Sequence, residues 1–285
     1  MKRIFLFGCS FSNWIWPTLA DLVSLAFEQR IVMANPGVSN RFLGNRLMEL
    51  ITSGEFNPRE DHVFFQTTGW GRFCYYERTR NTWRADGDLF CTLNRINRHS
   101  ELQENYGHAI FSPDQAVYDS YLALKTVDQL LRAQNISHTL VVGLDFVELF
   151  NPELKYEFSQ EIQEKVLDLE QHFLQGRPSL FRFGCEQQGR VGYNRQFQDG
   201  TSDGHPYPED MYQYLLRHFP EYATDLAAEF HLQALESFDW SGFSAQSERY
   251  VQLKQQYKIT PVTSSYVTSL FLPEDYLKFR GVFFG

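Results

Sequence analysis

Apolar and polar positions along the chain fall into blocks whose period switches between that of a strand and that of a helix. Ile4 to Phe7 is an unbroken apolar run of strand length, the pattern of a strand buried on both faces. It stops at Gly8, which can take backbone angles that other residues avoid and so marks a sharp turn. From Trp14 to Gln29, Trp16, Leu19, Leu22, Val23 and Phe27 recur at three- and four-residue intervals. That spacing predicts an amphipathic helix with Pro17 in its opening turn. Arg30–Ala34 reads as a second strand ending in the turn residues Asn35-Pro36-Gly37. Ser39 then caps a helix predicted to run to about Thr52, with Phe42, Leu43, Leu47, Leu50 and Ile51 on its buried face. His62–Thr67 is a third strand, again followed by glycines, in Gly69-Trp70-Gly71. The order β-α-β-α-β with a turn after each strand predicts an α/β fold around a parallel, doubly wound sheet.

The period lapses over about 74–112, a stretch rich in Arg, Asn, Asp, Tyr and Trp that reads as an inserted loop or lid. A helix over Pro113–Gln134, a strand over His138–Leu144 and a helix over Pro152–Leu174 follow. The Glu and Lys positions of that last helix read as its solvated face. Gly176–Gly204 reads as loop, and Pro208–His218 as helix. Residues 1–220 thus form one α/β domain, and 221–285 a C-terminal extension packed on it. The extension has helices near Ala223–Ser237 and Gln246–Gln256 and ends in the aromatic run Phe283-Phe284-Gly285.

Composition narrows the classes. With 285 residues, 43% of them hydrophobic, the chain can bury a large core. A net charge of −9 disfavours nucleic acid and anionic membranes as partners. No apolar run approaches the roughly 18 residues of a membrane span, and no signal-peptide pattern opens the chain. A cytoplasmic protein is the expectation. The four cysteines (Cys9, Cys74, Cys91, Cys185) lack zinc spacing and suit a reducing compartment. The remaining histidines are scattered, so no metal is expected, and the glycines form no phosphate-binding fingerprint, so no nucleotide cofactor is expected.

Three separated turns carry the candidate chemistry: Gly8-Cys9-Ser10-Phe11-Ser12, Asn35-Pro36-Gly37-Val38-Ser39-Asn40 and Asp203-Gly204-His205-Pro206. A serine becomes nucleophilic when a base takes its proton, histidine can do so near neutral pH, and a carboxylate orients the imidazole. Asp203 and His205 sit close enough in sequence for one loop to deliver both, and Gly37 could bring a backbone N–H beside Ser10. Cys9 reads as a buried structural thiol. Asp145 and Glu148, after the fourth strand, read as turn or cap residues, and Trp70 as core.

In this order the three blocks resemble the SGNH/GDSL hydrolase family, over roughly residues 1–220. The resemblance implies a flavodoxin-like three-layer α/β/α sandwich and esterase, lipase, deacetylase or acyltransferase chemistry. It makes Ser10 the nucleophile, His205 the base and Asp203 its orienting partner, with Ser10 N–H and Gly37 N–H as oxyanion donors. The implied substrate is a small acyl ester, with an O-acetylated glycan as one candidate. The alternatives are acyl transfer to an acceptor hydroxyl, or a binding protein that has lost turnover. Two departures stand out. The family's third block supplies an Asn, whereas this chain has Gln66-Thr67-Thr68-Gly69-Trp70-Gly71-Arg72, with Gln66, Thr67, Thr68 and Arg72 as substitute donors around Gly69. The acid–base pair is Asp-x-His, with Asp199 as the fallback carboxylate, and the compressed second block makes Asn40 an alternative to Gly37.

Overall fold

The computed structural model describes residues 3–14, 16–34, 38–77, 82–88, 112–146, 158–188, 195–203 and 205–259. The chain runs β1 (Arg3–Phe7), α1 (Leu19–Ser24), β2 (Gln29–Val32), α2 (Asn40–Thr52), β3 (Asp61–Gln66) and a hairpin of β4 (Arg72–Glu77) with β5 (Thr82–Asp88). After it come α3 (Pro113–Ala133), β6 (Ser137–Val141), α4 (Gln160–Leu174), α5 (Leu180–Gln188) and a short ribbon of β7 (Arg195–Gln196) with β8 (Ser202–Asp203). α6 (Pro208–His218), α7 (Asp225–Glu236) and α8 (Phe243–Gln256) complete the described part.

The core is a four-stranded sheet in the order β2-β1-β3-β6, with every neighbouring pair parallel. β1 is central, with Phe5 opposite Ile31 on one side and Val63 on the other. Its residues Ile4 to Phe7 are buried, as are all six of β3, so both faces of the sheet need cover. Two helix groups supply it. α2, α3 and α4 pack against one another, while α1, α5, α6 and α7 form the second group. The result is the three-layer α/β/α sandwich, built by the apolar stripes that the periodicity marks, such as Val117, Tyr121, Leu124, Val127 and Leu131 of α3. The Ser39 cap stands as expected, its Oγ accepting from the Phe42 N–H at 3.2 Å.

Several elements differ from the expectation. The first helix begins at Leu19, not Trp14. Thr18 caps it in a reciprocal box with Asp21, and Pro17 lies before the cap. Trp16 shares helical spacing with the core residues, yet it packs on Phe197 and Phe238, and Trp14 packs on His205. The loop expected over Gly176–Gly204 contains α5 and the β7–β8 ribbon, and the irregular insertion contains the β4–β5 hairpin. Both ribbons are local hairpins, pairing Glu77 with Thr82 and Gln196 with Ser202, and their strands contain none of the Val, Ile and Leu that mark the core strands. α5 docks by its first turn: Leu180 and Phe181 N–H groups donate to the carbonyls of Val142 and Gly143 at 2.9 and 3.0 Å. Residues 89–111, 147–157 and 260–285, which include Glu148, much of the expected lid and the terminal aromatic run, lie outside the described residues.

α8 joins the main core through Tyr250 and Leu253, with Tyr257 and Ile259 just after it. Tyr250 O–H donates to Asp21 Oδ2 at 2.5 Å, and Lys254 Nζ stands 3.1 Å from Asp21 Oδ1. One buried carboxylate therefore caps α1 and holds α8 on it. Among the described residues no helix is long and apolar enough to cross a membrane.

Candidate active site

The carboxyl ends of β1 and β3 adjoin at the point where the sheet order changes direction, β1 leading out to β2 and β3 to β6. Ligands of open parallel sheets bind at such a point. The chain leaves β1 through one tight turn, in which the Ser12 and Asn13 N–H groups donate to the Cys9 carbonyl at 2.9 and 3.2 Å. Ser12 Oγ folds back over Gly8 and donates to Gln66 Oε1 at 2.7 Å, tying the β1 turn to the end of β3. A side chain at Gly8 would collide with Ser12 Oγ. The glycine is thus required for space, and the expected unusual backbone angle is not its reason, because its φ is not left-handed. Asn13 Nδ2 reaches the Ala34 carbonyl beyond β2 at 3.1 Å, so the same turn is anchored on both sides.

Ser10 lies in this turn, buried at 4% exposure, and among the described residues no group hydrogen-bonds its hydroxyl. The loop carrying His205 meets it. The imidazole stacks on Trp14 with centroids 3.7 Å apart and planes 22° apart, and Phe11 meets the same ring edge-on at 5.5 Å and 71°. The Trp16 indole N–H donates to the Pro206 carbonyl at 2.9 Å. Three contacts therefore join segments separated by 190 residues in sequence. Asp203 pairs through its backbone with Arg195 across the ribbon, and its side chain lies outside the described residues. Asp199 occupies the exposed tip of that ribbon. Its Oδ1 accepts from Thr201 N–H at 2.9 Å and Thr201 Oγ1 at 2.5 Å, bonds that hold its carboxyl below the usual range.

The second and third blocks also meet. Asn40, wholly buried at the start of α2, grips the Thr68 peptide from both sides: Nδ2 donates to the Thr68 carbonyl at 3.1 Å and Oδ1 accepts from the Thr68 N–H at 2.8 Å. That grip fixes the turn after β3. Thr68 Oγ1 accepts from Arg72 Nη1 at 2.7 Å, Thr67 Oγ1 accepts from the Gly143 N–H at 3.2 Å, and the Gly69 carbonyl accepts from the Arg72 N–H at 3.3 Å. Gly143 is held that close because a Cβ there would stand 2.5 Å from the Thr67 carbonyl oxygen. Arg72 Nε is buried and has no hydrogen-bond partner among the described residues. Gly37 lies outside the described residues.

Beyond β6 two buried carboxylates brace the same edge of the sheet. Glu170 accepts from the Phe146 N–H at 2.6 Å and the Trp70 indole N–H at 3.3 Å, so it clamps the turn after β6 to the turn after β3. Burial pushes its carboxyl up to about 7. Glu170 is the exception to the expected solvated face of α4, on which Glu161, Glu164 and Asp168 are exposed. Asp145 accepts from the Ser179 hydroxyl and lies 3.2 Å from an Arg182 amino group, and burial raises its carboxyl too. Trp70 is core, as its composition suggests. Sequence reading missed Trp14, Trp16 and Glu170. For the tryptophans the signal was present, as two large aromatics beside the candidate serine, but helical spacing masked it. Among the described residues no group of three or more His, Cys, Asp or Glu side chains is arranged to hold a metal ion.

A scan against protein-family models and a search of curated proteins each return no match to this chain.

Proposed function

We propose that the chain is a serine ester hydrolase of the SGNH type, acting through an acyl-enzyme on a small acyl ester. One observation carries the reading: the His205 ring packs on Phe11 and Trp14, in the turn that holds Ser10. In this reading His205 takes the Ser10 proton as Oγ bonds to the ester carbonyl carbon, and the carbonyl electrons move onto oxygen. The tetrahedral species collapses, the proton passes from His205 to the departing alkoxide, and water repeats the sequence to release the acid. Asp203 orients the imidazole. The Ser10 and Gly37 N–H groups are the oxyanion donors, and Arg72, with its unpartnered buried Nε beside Thr68, is the candidate for the third. The free thiol of Cys9 suits a reducing, cytoplasmic setting.

A fluorophosphonate probe tests the nucleophile. The wild type should be labelled on Ser10 and should hydrolyse short p-nitrophenyl esters, and Ser10→Ala should abolish both. A wild type that takes no label and turns over no ester refutes the proposal.

A further inference from the structure

The candidate base packs on the aromatic segment that carries the candidate nucleophile. Trp14 lies face to face with the His205 imidazole at 3.7 Å, Phe11 closes on the same ring edge-on at 71°, and Trp16 holds the next residue of the loop through the Pro206 carbonyl. A stacked ring and a perpendicular one together restrict rotation and sliding of the imidazole. The indole does more than restrict. Its face carries negative quadrupole potential and attracts a cation, most strongly among the aromatic side chains. A neutral imidazole gains packing from this neighbour, whereas an imidazolium gains packing and electrostatic attraction. Only an interaction that is stronger in the transition state than in the ground state accelerates a step.

We infer that Trp14 is a positioning residue for the Ser10–His205 reaction, seating the imidazole and favouring the imidazolium that forms when the Ser10 proton is transferred. This rests on the hydrolase reading. The proton leaves Ser10 Oγ as the Oγ–carbon bond forms, resides on the imidazole while the negative charge resides on the former carbonyl oxygen, and leaves with the alkoxide. The indole face lies against the positive partner of that transient pair.

Two substitutions in the full chain separate this role from plain packing. Trp14→Phe keeps a π-face and Trp14→Leu keeps only apolar bulk. Fluorophosphonate labelling should stay within about threefold of wild type in Trp14→Phe and fall about tenfold in Trp14→Leu, at a temperature where both melt as folded proteins. Equal rates in wild type and Trp14→Leu, or equal loss in both variants, overturn the inference. A proton NMR spectrum gives a second reading that needs no variant to fold. The His205 ring protons of the wild type should be displaced upfield by the indole ring current, and undisplaced signals overturn the inference as well. A wild type with displaced signals that takes no label overturns the hydrolase reading itself. The two failures are therefore told apart on the wild type alone.

Discussion

At its amino end β3 buries His62 with both ring nitrogens partnered, by Ser137 Oγ at 2.9 Å and Thr139 Oγ1 at 3.0 Å. Tyr222 closes that group, its hydroxyl 2.8 Å from Thr139 Oγ1 and 3.3 Å from His62 Nε2. At its carboxyl end the same strand leads into Gln66, Thr67 and Thr68, all buried and equally polar. There the network is left open. Ser12 and Gly143 bond the side chains of Gln66 and Thr67 and Asn40 holds the Thr68 peptide, while among the described residues neither Arg72 Nε nor the Ser10 hydroxyl has a hydrogen-bond partner. An unpaired buried donor costs about 1–3 kcal/mol, so a fold that keeps one has a reason to be sought in what binds there. A closed polar cluster stabilises the fold, and the open one lies where the proposed ester would bind.

The sharpest way to break this comparison is to exchange the two histidines' fates. His205→Gln should cost ester turnover 10³-fold or more and leave urea stability within about 0.5 kcal/mol. His62→Gln should do the reverse, lowering stability by about 2 kcal/mol with turnover per folded molecule unchanged. Matched losses in both variants, read by ester assay and urea titration, would erase the distinction between the two ends.

The next effect is a pair of opposed pH dependences. Burial lowers His62 from 6.5 to about 4, so between those values the unfolded chain binds a proton that the folded one refuses. Stability is lost as pH falls through that window, by about 3 kcal/mol in all. Glu170, raised from 4.5 to about 7, acts in the other direction: the folded state keeps a proton the unfolded chain releases, and stability is lost as pH rises through that window, by about 3 kcal/mol. The two offset each other in the wild type and separate in variants. Relative to wild type, Glu170→Gln should gain stability from pH 5 to 7, and His62→Gln should lose it over the same range. Melting curves at pH 5, 6 and 7 check the signs. Parallel slopes would show that one of the two groups is not buried in the charge state assigned.

These groups also show how far the fold was legible. The four strands announce themselves as short apolar runs, and Ser39 and Pro208 mark helix starts that the structure keeps, because caps and periodicity are local properties. The serine turn and the Asp-x-His loop were legible as residue types in order. Their contact was not. Trp16 obeys a helical period and still lies outside the helix, since packing on Phe197 and Phe238 and a bond to the Pro206 carbonyl outweigh a weak local preference. Glu170 carries a charge in a helix rich in solvated charges, and only the Trp70 and Phe146 N–H groups facing it make it a buried clamp. Gly8 reads as a turn residue, but the Ser12 hydroxyl lying over it supplies the requirement.

Asn40→Leu probes the fixed half of the carboxyl end. It keeps the volume and removes both bonds to the Thr68 peptide, leaving a buried N–H and carbonyl unpaired. A loss of about 2 kcal/mol in urea unfolding is expected. A fall in ester turnover should accompany it, because the Thr68 hydroxyl that receives Arg72 moves with that peptide. Asn40→Asp keeps the acceptor for the Thr68 N–H and should lose less. Equal effects from the two variants would mean that the peptide is held by something other than this amide.

Tyr222→Phe probes the closed end and should have the smallest effect. Removing the hydroxyl takes one neighbour from Thr139 Oγ1 and one from His62 Nε2, yet those two atoms remain 3.0 Å apart and bond to each other. No buried polar atom is orphaned, and the phenyl ring keeps its packing against Phe27 and Phe219. The expected loss is about 1 kcal/mol, the net worth of an ordinary hydrogen bond, with turnover untouched. Asn40→Leu removes two bonds as well, but from groups with no second partner, and the ratio of the two losses measures that redundancy. A Tyr222→Phe loss as large as that of Asn40→Leu would show that the amino-end cluster depends on its tyrosine and is not closed without it.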